Sequence, residues 1–98
     1  MDLPTFKRSL DRDAPPADLG QALAALWHEA KGDWDQAHRL AQGPKDADCA
    51  WVHAYLHRVE GDQSNAEYWY RRAEKPPPSA PLKQEWDEIA STLPGARK

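Results

Sequence analysis

The chain has 98 residues, 40% of them hydrophobic and 30% charged, with a formal net charge of −3. That length predicts a single domain with a modest core, and the slight acidic excess excludes the basic stripe that a non-specific nucleic-acid grip needs. No apolar run approaches the ~20 residues of a membrane span, the opening MDLPTFKRSLDRDAPP lacks the apolar stretch of a secretory leader, and Cys49 alone excludes an internal disulfide and a four-cysteine zinc site.

These features read as a cytoplasmic protein in a reducing compartment. With so few aliphatic residues the core must lean on large rings, and Trp27, Trp34, Trp51, Trp69 and Trp86 supply them.

In chain order, Pro4, Pro15 and Pro16 bound an N-terminal extended arm over residues 1–16. From about Ala17 to Lys31, the residues Leu19, Leu23, Leu26, Trp27 and Ala30 recur at helical steps, and Gly32 stops the segment. Asp33 then caps a second helix carrying Trp34, Ala37, Leu40 and Ala41, which Gly43-Pro44 ends. Asp46 or Asp48 starts a third helix, running from Cys49 to Glu60. Gly61-Asp62 repeats the earlier punctuation, and a fourth helix follows from Gln63 to Glu74. Pro76, Pro77, Pro78 and Pro81 form a stiff link to a fifth segment marked by Leu82, Trp86, Ile89, Ala90 and Leu93 and closed by Pro94-Gly95. No segment alternates as a strand does, so the fold class is all-α. The organisation is an arm, a helical core over 17–78, and a capping helix with a short tail over 79–98.

An internal repeat organises the middle. LWHEAKGDWDQA lines up with YLHRVEGDQSNA at an offset of 29 residues, from Gly32 to Gly61. It pairs Ala25 with Ala54, His28 with His57, Asp33 with Asp62 and Ala37 with Ala66. Each unit is a helix, a Gly-Asp turn and a second helix, and two stacked units bury what one hairpin leaves exposed.

This pattern resembles the tetratricopeptide repeat. Ala54 takes its small close-packing position, and Gly61, Ala66, Tyr70, Ala73 and Pro78 match its turn glycine, first alanine, aromatic, second alanine and closing proline. The spacing departs from the roughly 34 residues of that repeat. His53 and His57 stand where it packs Leu and Tyr, and the first unit has Ala41 for the aromatic and Pro44 for the second alanine. The block HAYLHR…EGD…NA…YWYRRA also resembles a group of small, uncharacterised proteins. The resemblance implies two stacked hairpins and a partner-binding concave face.

Two stripes on the third helix carry the candidate sites. Trp51, Tyr55 and Arg58 recur at i, i+4 and i+7, which suits a peptide- or anion-binding groove unless the C-terminal helix covers it. His53 and His57 lie one helical turn apart with Glu60 continuing the stripe, and Asn65 follows in the next helix. A metal there needs a third ligand, for which Glu60 and His28 are the candidates. The metalloprotease pattern requires Glu directly after the first histidine, and Ala54 stands there. Partly buried rings bonded to Glu60, Asn65 or a tyrosine hydroxyl are the simpler reading.

Cys49 sits at a helix start, where the dipole can lower a thiol pKa, but nothing else marks a nucleophile. No catalytic residue, metal or cofactor is assigned. The leading expectation is a non-catalytic helical-repeat module that binds a protein segment or self-associates. The alternative is a metal- or small-ligand-binding protein, even a minor enzyme, built on His53, His57 and Glu60.

Overall fold

The computed structural model describes residues 2–43 and 45–93. Pro44 and the terminal Pro94-Gly95, which the sequence assigns as helix stops, lie outside the described residues. Among those described, the chain is all-α. The helices are α1 (Leu3–Arg8), α2 (Gln21–Ala30), α3 (Trp34–Gln42), α4 (Ala47–Glu60), α5 (Gln63–Arg72) and α6 (Leu82–Thr92). Among the described residues no helix is long and apolar enough to cross a membrane.

The two Gly-Asp turns are built alike. Gly32 and Gly61 adopt φ of +88° and +87°, a left-handed geometry that residues with a Cβ rarely adopt. In each turn the aspartate N–H returns to the carbonyl of the equivalent histidine, His28 or His57, at 2.9 Å. The aspartate side chain then caps the next helix, Asp33 accepting from Gln36 N and Asp62 from Asn65 N. The four small residues paired by the repeat, Ala25, Ala37, Ala54 and Ala66, are fully buried. That is where hairpins α2–α3 and α4–α5 need their backbones to approach closely.

Helix α4 is the axis of the molecule. Helices α2, α3, α5 and α6 all pack on it, so the nine residues from Cys49 to His57 are buried in succession. A helix enclosed on all sides loses the one-faced pattern that marks a surface helix.

The N-terminal arm is not extended, contrary to the sequence expectation. Asp2 accepts from Thr5 N at 3.0 Å, Pro4 sits in the first turn, and α1 forms, followed by a 3₁₀ turn over Ser9–Asp11. Phe6 is fully buried and stacks on Trp86 of α6 at 5.7 Å between ring centroids. Trp27 Nε1 donates to Ser9 Oγ and Trp86 Nε1 to the Leu26 carbonyl. The arm is therefore part of the core. Its departure from prediction has a local cause, since a six-residue helix has too few periodic positions to be read as one. The first predicted helix also begins later than expected, at Gln21 instead of near Ala17.

Candidate functional site

The Trp51-Tyr55-Arg58 stripe does not line an open groove. Helix α6 lies over it and inserts Glu85, whose exposure is only 1%. Arg58 Nη1 donates to Glu85 Oε1 at 2.7 Å, the Tyr70 hydroxyl lies 2.8 and 2.6 Å from the two carboxylate oxygens, and Trp51 Nε1 is 3.4 Å from Oε2. Arg58 Nη2 donates to the Ala80 carbonyl in the proline link. Lys75 covers the outer side of the Trp51 ring at 4.3 Å. Burial beside the Glu85 charge pushes the Tyr70 pKa up, so its hydroxyl keeps its proton. Both carboxylate oxygens thus have partners, and the cluster pins α6 to α4 and α5. The expected groove is filled because the chain carries its own acidic side chain to the arginine.

The histidine stripe points elsewhere, toward α3 and α5. His53 and His57 lie one turn apart on α4 with ring centroids 4.9 Å apart. A third histidine joins them: His38 from α3, at 4.6 Å from His53 and 5.3 Å from His57. Each of the three offers a ring nitrogen, and these nitrogens all lie within 4.8 Å of one another. Two tryptophans wall the group. Trp69 of α5 stacks on His53 at 3.9 Å, and Trp34 of α3 stacks on His38 at 4.8 Å. Trp34 is itself held by its Nε1 donating to the Leu56 carbonyl at 2.8 Å. Stacking fixes ring planes, and fixed planes are what a preorganised ligand set requires.

The hydrogen-bond inventory separates the three rings. His57 Nδ1 donates to Glu60 Oε2 at 2.6 Å, which leaves the Nε2 lone pair outward from that contact. A carboxylate on the far nitrogen of a histidine is the usual support behind a metal ligand. His53 is 4% exposed, and its Nδ1 has no partner among the described residues. Burial, followed by the neighbouring charges of His38 and His57, pushes His53 down to about 4, so the ring is neutral near pH 7. Burial, then the charge on His57, also lowers His38. Neutral imidazoles hold their lone pairs free of protons, as metal binding demands.

Several of the residues that the sequence pointed to sit apart from this group. His28, one of the two candidate third ligands, packs edge-on against Trp27 at 5.1 Å. Asn65 is exposed, and its amide donates to Asp62 at 2.9 Å. It does not reach His57. The hydrogen bond expected for the His53 ring is missing at its Nδ1 among the described residues, whereas the one from His57 to Glu60 is present. A second acidic set of His57, Glu60 and Asp62 also lies close together, but Asp62 is engaged in capping α5. Cys49 is buried, and its thiol is pushed up to about 12, first by burial and then by Asp46. That reverses the expectation of a lowered value, because burial, reinforced by the Asp46 carboxylate that caps the helix, outweighs the helix dipole.

Sequence reasoning missed His38. Its equivalent in the second unit is Glu67, so the repeat gave no signal. The available clue was its phase: His38 lies four residues after Trp34, on the α3 face that carries Trp34 and Ala41.

No family model, no curated protein and no solved structure matches the chain.

Proposed function

We propose that this protein is a metal-binding helical module in which His38, His53 and His57 hold one divalent transition ion, zinc being the best match to three imidazole ligands. The observation that carries the reading is the buried, unpartnered Nδ1 of His53 beside two other histidines at ligand spacing. A buried polar atom without a partner needs an explanation, and an ion supplies one. Glu60 would hold His57 in its ligating tautomer. The lone, buried thiol and the acidic net charge support a cytoplasmic location and no nucleic-acid role. The tetratricopeptide-like description of the scaffold rests on the repeat and its matched turns.

Zinc titration of protein made without a histidine tag tests the reading, followed by calorimetry and by thermal unfolding. One equivalent of zinc should bind, and at a free concentration a hundred times Kd it should stabilise the fold by about 2.7 kcal/mol. His53→Ala should abolish both effects. Absence of stoichiometric binding in the wild type would remove the reading.

A second reading, that the helical repeat binds a protein segment or a copy of itself, draws support from the outer face of α5. There the Tyr68 ring is 44% exposed and Arg72 lies over both Tyr68 and Trp69. Sedimentation of wild type and Tyr68→Ser would test self-association through that face. A strict monomer in both removes that version.

A further inference from the structure

Resting on the metal reading above, we infer that the ion at His38, His53 and His57 keeps a position free of protein ligands and takes there a small anion or water from solution. Among the described residues only three histidines make up the group. The nearest carboxylates are otherwise engaged: Glu60 on the Nδ1 side of His57, and Asp62 on the backbone and amide of Asn65. A four-coordinate ion with three histidines therefore lacks its fourth ligand from the protein, the arrangement of catalytic and not of structural zinc sites.

One member of the group reaches toward solvent. His53 and His57 are buried, but His38 lies on the outer helix α3 and is partly exposed. Metal–nitrogen bonds of about 2.0–2.1 Å put tetrahedral nitrogens about 3.4 Å apart. Closing the group from its present spacing thus calls on His38, the one partly exposed ring of the three. Imidazole ligands add no charge of their own to the ion, and the Glu60 carboxylate behind His57, with Asp35 near His38 and Asp62 near His57, offsets its charge of two. Arg72 adds a guanidinium 5.4 Å from the Trp69 ring that walls the site. It is the ion's own positive charge that draws a small anion or a water oxygen to that position.

Cobalt(II) replaces zinc as a spectroscopic probe, added to tag-free protein and followed by visible absorption, with sodium azide as the test anion. The expected result is one equivalent of cobalt giving four-coordinate bands, which azide then shifts saturably. The same bands should be absent in His53→Ala. His38→Gln, a change on the exposed helix that circular dichroism should show to be folded, should also weaken them at least tenfold in cobalt affinity. Cobalt bands that azide leaves unchanged would overturn the open position while leaving the metal reading intact. Bands that persist in both variants would place the ion elsewhere, and no cobalt uptake would remove both readings together.

Discussion

Replacing Glu85 by Ala should cost more stability than any other single change to a charged residue on α6. The carboxylate is 1% exposed and is the common acceptor for Arg58, Tyr70 and Trp51. Tyr70 is 1% exposed, so its stranded hydroxyl cannot turn to water, and an unsatisfied buried donor costs about 1–3 kcal/mol. The side chain of Arg58 is 18% exposed and keeps the Ala80 carbonyl, so its loss is partly relieved by solvent. Breaking a buried ion pair by removing one partner costs about 3–5 kcal/mol, and partial hydration of Arg58 points to the lower half of that range. For a domain of this size each kcal/mol moves Tm by roughly 4–8 °C, so a fall of more than about 12 °C is expected. Urea unfolding followed by tryptophan fluorescence and by far-UV circular dichroism measures it. The midpoint should drop with the slope unchanged. Arg58→Ala, which the sequence alone assigns to an open groove with little effect on stability, should be clearly destabilising. The double variant should cost less than the two changes added. A Glu85→Ala protein within about 1 kcal/mol of wild type would refute the reasoning, since it would mean the network contributes little net stability.

Three further outcomes follow from the same structure. Ala54→Leu should overpack the α4 crossing, where Ala54 is fully buried, and cost roughly 1–3 kcal/mol by urea unfolding. Cys49 should resist thiol reagents at pH 8 in the folded protein, its thiol being pushed up to about 12 and buried. It should react as soon as urea unfolds the chain, and fast labelling under native conditions would contradict that burial. The third outcome concerns the metal-free protein in acid: above the unfolded value of 6.5 His53 is neutral in both states and contributes no pH dependence. Below it the unfolded chain takes a proton that the folded ring, held near 4, refuses, so stability falls from pH 6.5 toward 4 and this contribution then levels off, by roughly 3 kcal/mol in all. A flat profile between pH 6.5 and 5, where carboxylates change little, would contradict the burial of His53 as a neutral ring.

The elements most readable from the sequence are those with a local cause. Gly32 and Gly61 take positive φ that other residues avoid, and Asp33, Asp46 and Asp62 each accept from a backbone N–H three residues on. The buried alanines of the repeat were legible for the same reason, as a spacing. What the sequence hid depends on distant pairing. Glu85 in LKQEWDEIAST looks like a solvent-facing position, and its partners Arg58 and Tyr70 lie 27 and 15 residues earlier. No local pattern announces such a carboxylate as buried. The enclosure of α4 is likewise invisible to periodicity, because a helix with neighbours on every side has no outward stripe from which to choose a groove.

The two polar clusters of α4 differ in a way that bears on function. Around Glu85 both carboxylate oxygens are bonded, and the donors come from α4 and α5, so the cluster closes on itself and rigidifies the packing of α6. Around His53 the rings are equally well fixed by Trp34 and Trp69, yet a buried nitrogen has no partner. Packing alone would be served better by apolar residues of similar volume, since an unbonded imidazole nitrogen gains nothing from the interior. Around that ring His38 and His57 converge from two helices, His57 bonded to Glu60 and His38 partly exposed. In the proposed metal reading, a positive ion would satisfy those lone pairs. The geometry therefore makes the Trp51-Tyr55-Arg58 stripe architecture where the sequence alone reads a groove, and leaves the histidines as the cluster on which the proposed metal reading rests.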